Sequence, residues 1–156
     1  MISLKLYPDY ENKIIVVDGS SVCWYEPDTR NRPKLSNLTM IFCNLEDLGV
    51  KKHHIKIFCD ANLRYHINNQ KEYFSLKRKK TIQECPAGIK EDKFILNFCL
   101  KHPNSLIISN DLFREYYDQL PDAYWINKRR ITFMKINKEF IFVPMCNIKL
   151  ICRGDQ

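Results

Sequence analysis

The sequence predicts an α/β fold, a three-layer α/β/α sandwich around a central, mainly parallel sheet. Two observations predict it. Apolar runs of strand length recur at IIVV (14–17), IKIFC (55–59) and SLIIS (105–109), and continuous apolar strands mark a sheet covered on both faces. Between them lie stretches whose apolar residues repeat at helical spacing. Strand–helix alternation of this kind builds a parallel sheet with helices on either side.

IIVV opens the sheet. The first helix covers 36–48, with Leu38, Ile41, Phe42, Leu45 and Leu48 on one stripe, Ser36 as N-cap and Gly49 just past the end. IKIFC is the second strand. A helical stretch of mixed polarity follows at about 62–79, broken near Asn68-Asn69, and TIQEC (81–85) is a short strand. The next helix runs from about 90 to 101, with Phe94, Ile95, Phe98 and Cys99 as its apolar positions. Glu91 and Asp92 sit in its first turn, where the macrodipole and free N–H groups favour acids. SLIIS is a further strand and LFREYYDQ (112–119) a short helix. ITFMKI and EFIFVP then make an antiparallel edge hairpin around Asn137-Lys138.

The 156 residues suit one domain, 1–156, with a core at about 13–144. Apolar residues make up 45% and charged residues 28%, which excludes a disordered chain. No apolar run approaches the roughly 20 residues of a membrane span, and MISLKLYPDYENK lacks the apolar stretch of a signal peptide. The expectation is a cytoplasmic protein without a membrane partner. Seven cysteines, an odd number with no C-x-x-C, read as buried thiols rather than a zinc or redox motif. Lys and Arg outnumber Asp and Glu by 25 to 18, and the net charge of +7 points to a polyanionic partner. A merely soluble basic surface would show the same excess. Two basic runs, KRKK (77–80) and Lys128–Arg130, can frame a cleft between them.

Each apolar strand ends in an aspartate: Asp18 after IIVV, Asp60 after IKIFC and Asp111 after LIISN. Right-handed crossovers put the C-terminal ends of parallel strands along one edge, where open α/β sheets bind ligands. An Asp at a strand end also commonly starts a turn, and for Asp60 that reading is equally good. Glu91 and Asp92 open their helix on the same edge. Carboxylates this close raise one another's pKa unless a cation offsets them, and hard oxygen ligands suit Mg²⁺ or Mn²⁺. An acidic centre in a cationic protein fits metal-assisted phosphodiester hydrolysis.

VVDGSSV (16–22), CDANLRY (59–65), PAGIKEDKFIL (86–96), SNDLFREY (109–116) and FIFVP (140–144) occur in that order. Together they resemble the PIN-like NYN ribonuclease domain of the Regnase (CCCH zinc-finger ribonuclease) type, over about residues 13–144. The resemblance implies a PIN-like fold and endonucleolytic cleavage of single-stranded or loop RNA. It also implies Mg²⁺ or Mn²⁺ held by Asp18, Asp92 and Asp111, with Glu91 and Glu115 as further catalytic acids. Arg114 matches a basic residue near the RNA backbone. Ser20, Ser21, Asn110 and Arg64 complete the expected substrate-binding set: Ser20 and Asn110 as hydrogen-bonding supports, Arg64 as a phosphate contact that a helix-surface charge need not make. Trp24 and Tyr25 are candidates for base stacking, or for ordinary loop packing. No CCCH pattern is present, and a homodimer is left open. The family's D-G-S-N reads D-G-S-S here, so Ser21 replaces an amide with a shorter hydroxyl. That departure favours the alternative of a catalytically weak or inactive PIN-like RNA-binding module. Phosphotransfer enzymes of similar architecture fit less well: no D-x-D follows the first strand, and no receiver-type acidic pair ends it.

Overall fold

The computed structural model describes residues 2–143 and 146–150. Pro144, the last residue of the expected strand EFIFVP, and Cys152 lie outside the described residues.

Six strands form the main sheet: β2 (Ile14–Asp18), β3 (Ile55–Cys59), β4 (Ile82–Glu84), β5 (Ser105–Ile108), β6 (Arg130–Ile136) and β7 (Glu139–Val143), in the order β4-β3-β2-β5-β6-β7. All neighbours are parallel except β6 and β7, which pair antiparallel as the expected hairpin. Asn137 and Lys138 both take left-handed φ, +50° and +65°, at its turn, as a tight hairpin turn requires. A separate antiparallel pair joins β1 (Ile2–Leu6) to β8 (Cys146–Leu150).

Five α-helices connect the strands: α1 (Gly19–Trp24), α2 (Leu35–Leu48), α3 (Gln70–Arg78), α4 (Glu91–Lys101) and α5 (Trp125–Arg129). The period of two in a strand divides the core between the faces. Ile15, Val17, Ile57 and Ile108 point into one cluster with Leu38, Ile41 and Leu45 of α2. Val16, Phe58 and Ile107 point into the other with Ile95, Leu96 and Cys99 of α4 and Trp125 of α5. That is the sandwich the alternation predicts.

Several expected details differ. Ser36 does not cap α2. The helix begins after Lys34 without a side-chain cap of its own, and Asn68 Oδ1 accepts the Leu35 N–H at 2.9 Å from across the fold. Gly49 does end α2, at φ +105°. The mixed stretch at 62–79 divides into a 3-10 turn at Leu63–Tyr65 and helix α3, with Asn69 accepting the Glu72 N–H as N-cap. The expected helix at 112–119 is a 3-10 segment at Arg114–Gln119, entered through Phe113 at φ +53°. Helices α1 and α5 and strands β1 and β8 have no counterpart in the sequence reading.

β2 lies between β3 and β5, and the chain order reverses there. Asp18 ends β2, Asp60 follows β3, and Ser109 to Asp111 follow β5. KRKK instead lies at the end of α3, where the chain enters β4 at the sheet edge opposite Asp60. Parallel topology therefore carries Arg78 to Lys80 away from the acids while Lys77 turns back to pair with Glu84 at the end of β4, and none of the run lines the cleft.

Candidate active site

Asp18 is both the last residue of β2 and the N-cap of α1. It is 2% exposed and accepts three hydrogen bonds: Ser21 N–H to Oδ1 at 3.3 Å, Ser21 Oγ to Oδ2 at 2.7 Å and Ser109 Oγ to Oδ2 at 2.8 Å. The Ser21 hydroxyl thus reaches the first aspartate despite its shorter length. Gly19 lets α1 lie directly on β3. A Cβ there would stand 2.6 Å from the Phe58 carbonyl oxygen and 2.8 Å from Cys59 Sγ.

Glu91, first residue of α4, is 6% exposed. Its Oε1 accepts the Ser20 N–H at 3.3 Å, and its Oε2 is buried without a donor. Burial, and then the charge of Asp18, hold its carboxyl well above the usual range. Two acids this close are stable with a proton or a cation between them. Asp92 is half-buried. Burial first, then the charges of Asp18, Asp111 and Glu115, push its carboxyl up to about 6, with Lys90 acting in the opposite direction. Asp18, Glu91, Asp92, Asp111 and Glu115 therefore share one electrostatic neighbourhood. The acids at the start of α4 serve that neighbourhood, since neither caps the helix through a side chain.

Asp111 is exposed. Its N–H donates to Ser109 Oγ at 3.1 Å and its Oδ1 accepts the Phe113 N–H at 2.8 Å, closing a turn rather than capping a helix. Ser109, fully buried, therefore ties Asp18 to Asp111. The sequence reading missed it, because SLIIS reads as plain strand.

A cleft of about 350 Å³ is lined by Asp18, Glu91, Asp92 and Asp60 together with Ser20, Ser21, Lys90 and a wall at Trp24, Leu63 and His66. Asp60 also starts a turn, accepting the Asn62 N–H at 2.8 Å, and its own N–H donates to Ser20 Oγ at 2.9 Å. Other expected residues lie elsewhere. Asn110 brackets β6, donating to the Phe133 carbonyl and accepting the Phe133 N–H, both at 3.0 Å. Arg64 is ion-paired to Glu84, with Tyr73 and Lys77 as further donors to that carboxylate. Burial raises the Glu84 carboxyl, but these three donors outweigh it and hold it below the ordinary value. Tyr25 packs edge-on against Phe133 at 5.4 Å. Arg114 and Glu115 are exposed on the 3-10 segment.

The donor set is carboxylate oxygen, which suits a hard divalent cation, and the buried Glu91 carboxyl beside Asp18 needs a shared proton or a cation to satisfy its Oε2. Among the described residues, no three His, Cys, Asp or Glu side chains already stand as a metal-holding group. Like-charged acids repel, so a shared neighbourhood does not by itself bring them to ligand distance.

The fold is similar to that of Arabidopsis thaliana nuclear protein-only RNase P 2 (PRORP2). Two structures of that protein superpose with TM-scores of 0.65 and 0.64 at 15% identity, over 84% and 87% of this chain. The chain spans only 29% and 31% of those chains. No curated protein matches by sequence. Residues 11–147 match the Zc3h12a-like ribonuclease NYN domain, which takes in every acid of the cleft edge. With that match running from before β2 to beyond β7, the chain belongs to the Zc3h12a-like ribonuclease NYN domain family.

Proposed function

We propose that the chain is a Mg²⁺- or Mn²⁺-dependent endoribonuclease acting on single-stranded or loop RNA. The observation that carries this reading is the pair of buried acids, Glu91 beside Asp18, with Asp92 in the same cleft, at the point where the strand order reverses. Family membership supplies RNA as the substrate class.

A bound divalent cation would polarise the scissile phosphate and acidify a water. Asp18, Asp92 and Asp111 are the residues to hold it, with Glu91 beside Asp18. Ser21 and Ser109 fix the Asp18 carboxylate in one orientation, and Ser20 fixes Glu91 through its backbone N–H. One carboxylate of the cluster would accept the proton of the attacking water. Lys90 lines the cleft and supplies positive charge to an incoming phosphodiester. We further assign the protein to the cytoplasm, in keeping with its unpaired thiols: five free cysteines, four of them buried, stand among the described residues.

Incubating the protein with labelled single-stranded RNA, with and without Mg²⁺ or Mn²⁺, tests the proposal. Metal-dependent cuts within the strand are expected. Asp111→Asn is expected to abolish them while leaving RNA binding intact, and retained cleavage in that variant would refute the assignment. A second reading, an RNA-binding module of weak or no activity, draws on the acids not already standing as a metal-holding group. Binding without metal-dependent cutting across several RNAs would establish it.

A further inference from the structure

Trp24 ends α1 on the wall of the acid cleft and is 43% exposed. Its indole has no hydrogen bond, ring contact or cation contact among the described residues. The protein's other tryptophan, Trp125, is buried at 6% with the Arg129 guanidinium 4.4 Å above its ring. An indole left open in a cleft is unusual for a residue whose only duty is packing. Trp24 is also held firmly. Asp18 caps one end of α1, and the fully buried Asn37 amide donates to the carbonyls of Val22 at 2.9 Å and Tyr25 at 2.8 Å at the other. The next residue, Tyr25, packs against Phe133 and Phe140. A flat aromatic surface is thus presented in a fixed place with little ordering left to do on binding.

The cleft does not end at the acids. Asp60, Asn62 and Lys90 also line an adjoining cavity of about 250 Å³. A single strand can therefore run past the acids, its backbone over Lys90, with an unpaired base turned onto the Trp24 wall. The Asn62 side-chain amide has no partner among the described residues and offers a donor and an acceptor to a base edge.

We propose that Trp24 is the stacking platform for one unpaired base beside the acid cluster, so that the site takes single-stranded RNA and rejects a paired base at that position. This rests on the ribonuclease reading for its choice of ligand. Stacking on an aromatic is sequence-tolerant, since every base has a flat face, and a base locked in a duplex cannot reach the ring.

The test is a fluorescence titration of the full chain, in EDTA, with a single-stranded RNA of roughly ten nucleotides, a length on the order of one single-strand binding site. Quenching of tryptophan emission is expected for the wild type and not for Trp24→Phe, in which Trp125 alone reports. Trp24→Ala is expected to weaken binding by about 5- to 100-fold, while Trp24→Phe stays within about threefold. The same RNA annealed to its complement is expected to bind no better to wild type than to Trp24→Ala. Quenching that persists in Trp24→Phe, or a Trp24→Ala affinity equal to wild type, overturns the proposal. Should Trp24→Ala fail to fold, judged by its circular dichroism, the Trp24→Phe quench decides alone. Cleavage of the same RNA with Mn²⁺ reports separately on the ribonuclease reading. Cleavage with unchanged Trp24→Ala affinity sinks stacking alone, and Trp24-dependent quenching without cleavage sinks the nuclease alone.

Discussion

Ser21 and Ser109 divide the work of holding Asp18, and their removal should not be equivalent. Ser21→Ala deletes the 2.7 Å hydroxyl bond but keeps the Ser21 N–H on Oδ1. Ser109→Ala, at a fully buried position, takes a donor from Asp18 and also strips the Asp111 N–H of its acceptor. Losing a hydrogen bond to a charged group costs about 1.5–3 kcal/mol, and the partly buried Asp111 N–H left without its acceptor adds a smaller cost. The expected order of stability in urea is wild type, then Ser21→Ala, then Ser109→Ala, with cleavage rates in the same order. In metal-free buffer Asp92 sets the pH dependence near pH 6. Its carboxyl is raised to about 6, so the folded protein holds more protons than the unfolded chain between the ordinary carboxylate range and pH 6. The stability it contributes is full at low pH and falls as pH rises through 6. Asp92→Asn should therefore stabilise the protein at pH 8, by on the order of 1–2 kcal/mol after solvent screening, and flatten that part of the melting-temperature profile. A variant less stable than wild type at pH 8 would contradict the assigned repulsion. At this scale Asp18, Asp60 and Asp111 were legible because a charged residue ending an apolar run stands out, and Asp92 because it belongs to an acidic pair opening a helix. Ser109 was not, since its partner lies 91 positions away.

Among the elements that composition and periodicity hid, α1 is the one that builds the site. Six residues, GSSVCW, make under two turns, too short for a helical period to register. Its existence depends on a cap and on close packing instead. Asp18 supplies the cap, and Gly19 supplies the approach to β3. Two glycine variants separate these causes. Gly49 sits at φ +105° with open space where a Cβ would go, so Gly49→Ala meets only backbone strain, about 1 kcal/mol. Gly19→Ala drives its Cβ to 2.6 Å from a backbone carbonyl of β3, and backbone cannot rotate aside as a side chain can. It should lose about 2–3 kcal/mol, as overpacking does, and displace α1 together with Asp18, Ser20 and Ser21. Thermal melts should show the larger drop for Gly19→Ala. Only that variant should also lose cleavage when assayed well below its melting temperature. The longer elements were legible for the ordinary reason that ten or more residues show their period. Their caps were less so: Asn68 serves α2 from another loop, a contact no local pattern encodes.

For the whole molecule, the alternation of strands and helices disclosed the layers but not the order β4-β3-β2-β5-β6-β7, nor the pairing of β1 with β8. Those depend on contacts between distant segments. The order matters electrostatically, because a net charge of +7 says nothing about where the cations lie. Topology sends KRKK to the entry of β4 and leaves Lys90 in the acid cleft. Long-range attraction draws RNA to any cationic surface, but counterions are released only where a cation meets a phosphate. For single strands each such meeting contributes roughly −0.7 to the slope of log K against log salt. Lys90→Ala should therefore flatten that slope by about one phosphate's worth when RNA binding is followed from about 50 to 200 mM salt. Lys79→Ala removes an equal charge from the opposite edge and should lower affinity slightly at low salt while leaving the slope unchanged. A slope flattened by Lys79→Ala and left unchanged by Lys90→Ala would place the RNA path along the KRKK edge and away from the acids, and the cleft would then lose its claim to the substrate.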